Sequence, residues 1–120
     1  NSALKTKKVK YQGNLESMRE YIHVEDAARA SITILESSFK NESIILTGQE
    51  SLRVVDLLKM IAEILDLPNE SVEFIEEEYA GHYVRTPYAY QPKLGRTYIP
   101  STHVDLGQGI MQVIGELDGL

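Results

Sequence analysis

The chain has no cysteine and no tryptophan among its 120 residues. Without cysteine there is no disulfide, no thiolate nucleophile and no zinc–thiolate centre, and a reducing, cytoplasmic setting is the expected one. No apolar run approaches about 18 residues, so no membrane-spanning helix is expected and no membrane partner. Positive charge is in deficit: 12 Lys and Arg against 18 Asp and Glu leave a net charge of −6. A sequence-independent nucleic-acid binder needs a basic surface that displaces counterions, so nucleic acid is not an expected partner. The one basic cluster is Lys5, Lys7, Lys8 and Lys10, and it reads as a solvated end in preference to a binding arm.

Chemical signatures are missing as well. There is no Gly-x-Gly-x-x-Gly loop, no Walker pattern and no Ser in a nucleophile elbow. His23, His82 and His103 are too far apart for metal-ligand spacing, and His23, inside an apolar run, reads as a satisfied core histidine in preference to a base. None of the seven tyrosines has a Lys four residues on; Tyr90 and Lys93 are three apart with Pro92 between them. The acidic run Glu76-Glu77-Glu78 reads as a solvated edge in preference to a metal site. No catalytic residue, cofactor ligand or metal ligand is therefore expected in this chain.

What is present is the composition of a folded domain, 42% apolar and 25% charged, and the length suits one domain over residues 1–120. Residues 1–12 are expected to be a frayed or tag-derived end, although Val9 and Tyr11 alternate as a short strand that stops at Gly13. The apolar run 21–24 reads as a buried strand, and a helix is expected over 25–37. That helix opens on Glu25 and Asp26, which suits the positive end of its dipole. Its apolar stripe, Val24, Ala28, Ile32 and Leu35, is of the kind that packs on a sheet. A second strand is expected within 41–47. The clearest helix follows, with Val54, Leu57, Leu58, Ile61, Ile64 and Leu65 at three- and four-residue spacing, ended by Pro68. Val72 to Ile75 reads as a third strand. From 79 to 100 the chain is rich in Tyr, Pro and Gly without periodicity, and a loop that long is more often functional than not. Asp105 is an N-cap with Gln108 in capping-box position. It opens a helix whose face is Leu106, Ile110, Val113, Ile114 and Leu117. Gly107 and Gly109 in its first turn mark either a close backbone approach or a frayed start. The fold class is α/β, with about three helices and short strands.

Two arginines stand in aromatic, loop-adjacent settings: Arg19, two residues before Tyr21, and Arg85, three before Tyr88. A guanidinium grips phosphate in a planar, bidentate way, and tyrosine adds hydroxyls and ring surface. Arg19 and Arg85 could converge on one pyrophosphate, which is an expectation about the fold.

The stretch Arg19-Glu20-Tyr21-Ile22-His23-Val24-Glu25-Asp26-Ala27-Ala28-Arg29-Ala30 resembles the Arg-Asp-Tyr/Phe-Ile-His-Val-x-Asp-x-Ala-x-Ala segment of the NAD-dependent epimerase/dehydratase family, the extended short-chain dehydrogenases of the UDP-glucose 4-epimerase type. Ile45-Leu46-Thr47-Gly48 with Leu52-Arg53-Val54-Val55-Asp56-Leu57 is similar to the family's strand, Gly turn and helix start. Pro92-Lys93-Leu94-Gly95, Tyr98-Ile99-Pro100 and Asp105-Leu106-Gly107-Gln108-Gly109-Ile110 are similar to its closing pattern. The resemblance implies a small carboxy-terminal substrate-binding domain without the Rossmann core, which in the family carries the NAD loop and the Tyr-x-x-x-Lys pair. It implies a nucleotide-sugar substrate, NAD held by an amino-terminal Rossmann domain of the same parent chain, and no catalysis by this part alone. Arg19 then falls on the pyrophosphate-binding Arg and Tyr21 on its aromatic neighbour. Arg85 falls on the second phosphate Arg, where the family's Arg-x-Gly-Asp is replaced by Arg85-Thr86-Pro87-Tyr88, leaving Tyr88 to supply a hydroxyl.

That departure keeps another reading open, a non-catalytic interaction module that retains the fold without the site. A domain parted from its Rossmann neighbour exposes apolar surface, so self-association into a homo-oligomer is expected.

Overall fold

The computed structural model describes residues 1–49, 51–76 and 95–119. It is a mixed helix and strand structure in which six short strands pair two by two. After a five-residue helix α1 (Ser2–Thr6), strand β1 (Val9–Gly13) runs parallel to β5 (Val72–Glu76), Val9 facing Val72 and Gly13 facing Glu76. Lys8 and Lys10 both reach Glu73 across this pair, so half of the basic cluster is spent on one carboxylate. Strand β2 (Met18–Glu20) is antiparallel to β4 (Ser51–Arg53), with Arg19 opposite Leu52. Strand β3 (Ile44–Leu46) is parallel to β6 (Arg96–Tyr98). The β6 end is fixed by Arg96, whose guanidinium lies 4.6 Å from the centre of the Phe39 ring and 3.1 Å from a Glu42 carboxylate oxygen.

Helices α2 (Val24–Thr33), α3 (Val54–Ile64) and α4 (Leu106–Asp118) complete the described chain. The expected strands at 41–47 and 72–75 and the expected α3 and α4 are present. The buried apolar side chains among the described residues include Val9, Ala30, Val55 and Ala62. Two of them are alanines, which let a helix backbone approach its neighbour closely.

The apolar run 21–24 is not a strand. The ladder stops at Glu20, and Tyr21-Ile22-His23 is a connector packed on a loop. Gly48 approaches the Tyr21 backbone so closely that a Cβ there would collide with the Tyr21 carbonyl. The His23 ring ends the extended run by capping α2, Nδ1 accepting the Glu25 N–H at 3.3 Å, so Val24 already belongs to the helix. His23 is thus engaged structurally. The helix also ends earlier than the expected 37, at Thr33, with Ile34 as its C-cap.

The stripe on α2 faces the other way from expectation. Val24 is 75% exposed, Ile32 71% and Leu35 82%, while Asp26 and Ala30 are buried. Periodicity grouped Val24 and Ile32 on the helix, while Leu35 falls past its C-cap, and the contact that orients the helix is polar. Asp26 is 2% exposed, accepts the Val104 N–H at 2.8 Å and pairs with Arg29 at 2.6 Å. Burial disfavours its charge, but the Val104 amide and then Arg29 outweigh that and hold the carboxyl below the usual range. Asp26 therefore joins α2 to the segment entering α4.

At that entry Asp105 caps α4, accepting the Gln108 N–H at 3.3 Å. The two glycines of the first turn differ. Gly109 is buried, and a Cβ on it would sit 2.9 Å from His23 Cδ2, so it marks a close approach; at Gly107 the nearest atom is Asp105 Oδ2, 3.2 Å away. At Gly115 nothing lies within 4 Å. Gly115→Ala is therefore expected to stabilise the protein by about 0.5–1 kcal/mol through helix propensity alone. Gly109→Ala is expected to lose about 1 kcal/mol net, since crowding of about 1–3 kcal/mol exceeds the same gain. Denaturant midpoints of the two variants check this, and equal shifts would refute the close approach.

Candidate anion-binding site

Strand β1 alternates, so Val9, Tyr11 and Gly13 share the inward face while Lys10 and Gln12 are exposed. The Tyr11 hydroxyl donates to the Asn14 carbonyl at 3.0 Å. Gly13, at φ +155°, makes room for this: a Cβ there would stand 2.9 Å from the Tyr11 hydroxyl oxygen. The chain then turns through Asn14, whose side-chain oxygen accepts the Glu16 N–H at 2.8 Å, into β2.

Between this turn, β2 and the start of α3 lies a cleft of about 280 Å³. Tyr11, Gly13 and Asn14 line one part, Ser17, Arg19 and Tyr21 another, with Val54 at the head of α3. Arg19 is the one charged side chain among its lining residues. It is half-buried, and one of its terminal nitrogens donates to the Met18 carbonyl at 2.7 Å. That bond orients the guanidinium and leaves most of its five N–H donors for another partner. Its neighbour Glu20 is occupied elsewhere, its carboxylate accepting the Thr47 hydroxyl and, at 3.4 Å, the Ser51 hydroxyl. Because successive side chains on a strand alternate, this keeps the Glu20 charge away from the cleft.

Burial pushes the Tyr21 phenol above its usual pKa; Arg19 opposes the rise and Tyr11 adds to it. Tyr21 is then a protonated hydroxyl at neutral pH, able to donate a hydrogen bond and unsuited to act as a base. One guanidinium flanked by two tyrosines is the chemistry of an anion site with ring surface beside it.

Arg19 and Tyr21 thus meet in one cleft. Arg85 and Tyr88 lie outside the described residues, as do Tyr90, Lys93 and Glu77-Glu78 of the acidic run. Tyr11 and Ser17 line the same cleft and were not picked out by sequence. The signal for Tyr11 was its place between Val9 and Gly13 in an alternating strand; for Ser17 there was none. A second recess, lined by residues that include His23, Asp26 and His103, measures about 30 Å³, room for little more than a water molecule. Among the described residues no three His, Cys, Asp or Glu side chains come together as a metal site, and no helix is long and apolar enough to cross a membrane.

The amino ends of α2 and α4 are filled by His23 and Asp105 acting as caps, with Glu25 and Asp26 adding negative charge at α2. The amino end of α3 opens on the cleft of about 280 Å³.

Residues 1–47 match the model of the NAD dependent epimerase/dehydratase family. The matched stretch contains β1, β2, α2 and β3, and with them Tyr11, Ser17, Arg19, Tyr21 and Asp26. Neither the curated proteins nor the solved structures gave a match.

Proposed function

We propose that this chain is the substrate-binding domain of an NAD-dependent epimerase or dehydratase, and that its cleft takes the diphosphate of a nucleotide sugar. The observation that carries the reading is Arg19. Among the described residues it is the one charged side chain lining a cleft walled by Tyr11 and Tyr21, and it lies inside the stretch that matches the family. Arg19 grips phosphoryl oxygens, Tyr21 donates its hydroxyl, and Arg85 and Tyr88 supply a second phosphate contact and a further hydroxyl. NAD is held by a Rossmann domain of the parent protein, as the family resemblance implies. This domain alone is not catalytic.

The test is turnover. The full-length gene product, supplied with NAD, is incubated with UDP- and dTDP-sugars, and products are followed by NMR. Conversion of one of them is expected. Absence of both conversion and binding would favour the interaction module that keeps the fold without the site.

The exposed face of α2 supports a docked neighbour. Val24 and Ile32 on α2 and Leu35 just past its C-cap are exposed apolar side chains, of the kind that marks an interaction surface. Without that neighbour, the 120-residue chain is expected to self-associate. The double variant Ile32→Glu, Leu35→Glu is expected to shift it to monomer in sedimentation velocity. A wild-type chain that stays monomeric at high concentration would contradict this.

A further inference from the structure

We propose that the Ser17 hydroxyl and the amino end of α3 form a second anion contact in the cleft, binding a phosphoryl oxygen of the ligand that Arg19 holds. The inference rests on the diphosphate reading above and adds a residue to it.

The backbone of Ser17 is fully used. Its N–H donates to the Asn14 carbonyl at 3.1 Å, and its carbonyl accepts the Val54 N–H at 2.9 Å, which pins Ser17 to the first residue of α3. The side chain is not used. Ser17 is 3% exposed, and its hydroxyl makes no hydrogen bond among the described residues. Yet no buried side-chain nitrogen or oxygen among those residues is sealed off without a partner. The small exposure that Ser17 keeps therefore includes its hydroxyl, and the space it meets is the cleft it lines with Arg19 and Tyr21. A hydroxyl held this way has a proton to donate and, among the described residues, no acceptor for it.

Helix α3 adds to the same place. It runs for 11 residues, and its N-cap, Arg53, makes no side-chain cap bond. Its first amide goes to Ser17, and among the described residues no side chain caps those that follow. A helix start in this condition carries partial positive charge and free donors. Asp56 in its first turn is paired with Arg53 at 2.8 and 3.1 Å, so that carboxylate is matched by a cation. Glu16 is the other carboxylate whose charge reaches Arg53.

Affinities of the full-length protein are measured by calorimetry for a nucleotide sugar, the nucleoside diphosphate, inorganic pyrophosphate and the bare nucleoside. Ser17→Ala removes one oxygen and leaves both backbone bonds in place. It is expected to weaken the three phosphate-bearing ligands about ten-fold and to leave the nucleoside unchanged. Ser17→Cys, similar in size and a poor donor, is expected to match Ser17→Ala, with unfolding midpoints of both near wild type. Wild-type affinity in Ser17→Ala while Arg19→Ala loses binding would overturn the Ser17 contact and leave the diphosphate reading standing. An equal loss for the bare nucleoside would also overturn it, as the sign of a merely structural role. If neither variant changes binding, both inferences fall.

Discussion

In the Asp26→Ala variant, the Val104 amide exchanges with solvent faster than in wild type, and the protein loses about 2 kcal/mol of stability. The reasoning is local. The carboxylate is fully buried, and one of its oxygens is the acceptor for the Val104 N–H. Alanine leaves that N–H without a partner in a place water does not easily reach, which costs about 1–3 kcal/mol. Losing the ion pair adds little, because the Arg29 side chain is 57% exposed and remains solvated. The sign of the pH dependence follows from the lowered pKa of Asp26. A group more acidic in the folded state than in the unfolded one gives stability that is fully present above its unfolded pKa, about 3.9. That stability is lost as pH falls through the lower folded value. Wild type should therefore lose this contribution in acid below about pH 4, whereas Asp26→Asn should lack it at all pH values and show a flatter acid limb. Hydrogen exchange at Val104 and acid denaturation of the two proteins measure both effects. Unchanged protection in Asp26→Ala would remove Asp26 from its place as the tie between α2 and α4.

Arg19→Ala is expected to lower affinity for the nucleotide sugar by at least about 100-fold, since hydrogen bonds to charged groups contribute about 1.5–3 kcal/mol each and two are lost together. Stability should change little, because the one bond lost within the protein is to the adjacent Met18 carbonyl. Arg19→Lys keeps the charge and loses the fork, so it should recover only part of the affinity. Full recovery by lysine would mean that the cleft supplies charge without geometry, and the bidentate grip would be wrong. Tyr21→Phe removes only the hydroxyl and separates its bond from the ring surface.

Much of this fold was legible in the sequence where apolar residues recur over many positions. Helix α3 shows its period from Val54 to Ile64, and Asp105 with Gln108 announces the start of α4. Strands β2, β4 and β6 are three residues each, too short for alternation to register, and the start of 79–100 was read together with β6 as one irregular stretch. Residues 21–24 misled because an apolar run fits a strand and a packed connector equally well. In α2 the period placed Val24 and Ile32 on the helix but ran on to Leu35, past its C-cap, and period says which residues share a face and not what covers it. The covering contact there runs through Asp26, and an acidic residue in a first turn looks like a dipole partner when it is read alone. At the cleft, Arg19 and Tyr21 were legible as chemistry and through the family pattern. Tyr11 and Ser17 enter only through the turn at Gly13 and the bond from Val54 to Ser17, which join residues far apart in sequence.

The most direct test of the account is a titration of the wild-type, full-length protein with a ligand series: bare nucleoside, nucleoside diphosphate and nucleotide sugar. Protein NMR shifts are followed at Tyr11, Ser17, Arg19 and Tyr21. The account predicts shifts at all four residues with the two diphosphate ligands, and an affinity for them at least about ten-fold above that for the nucleoside. Equal affinity across the series, or saturation by the nucleotide sugar with no shift at Arg19, would contradict it.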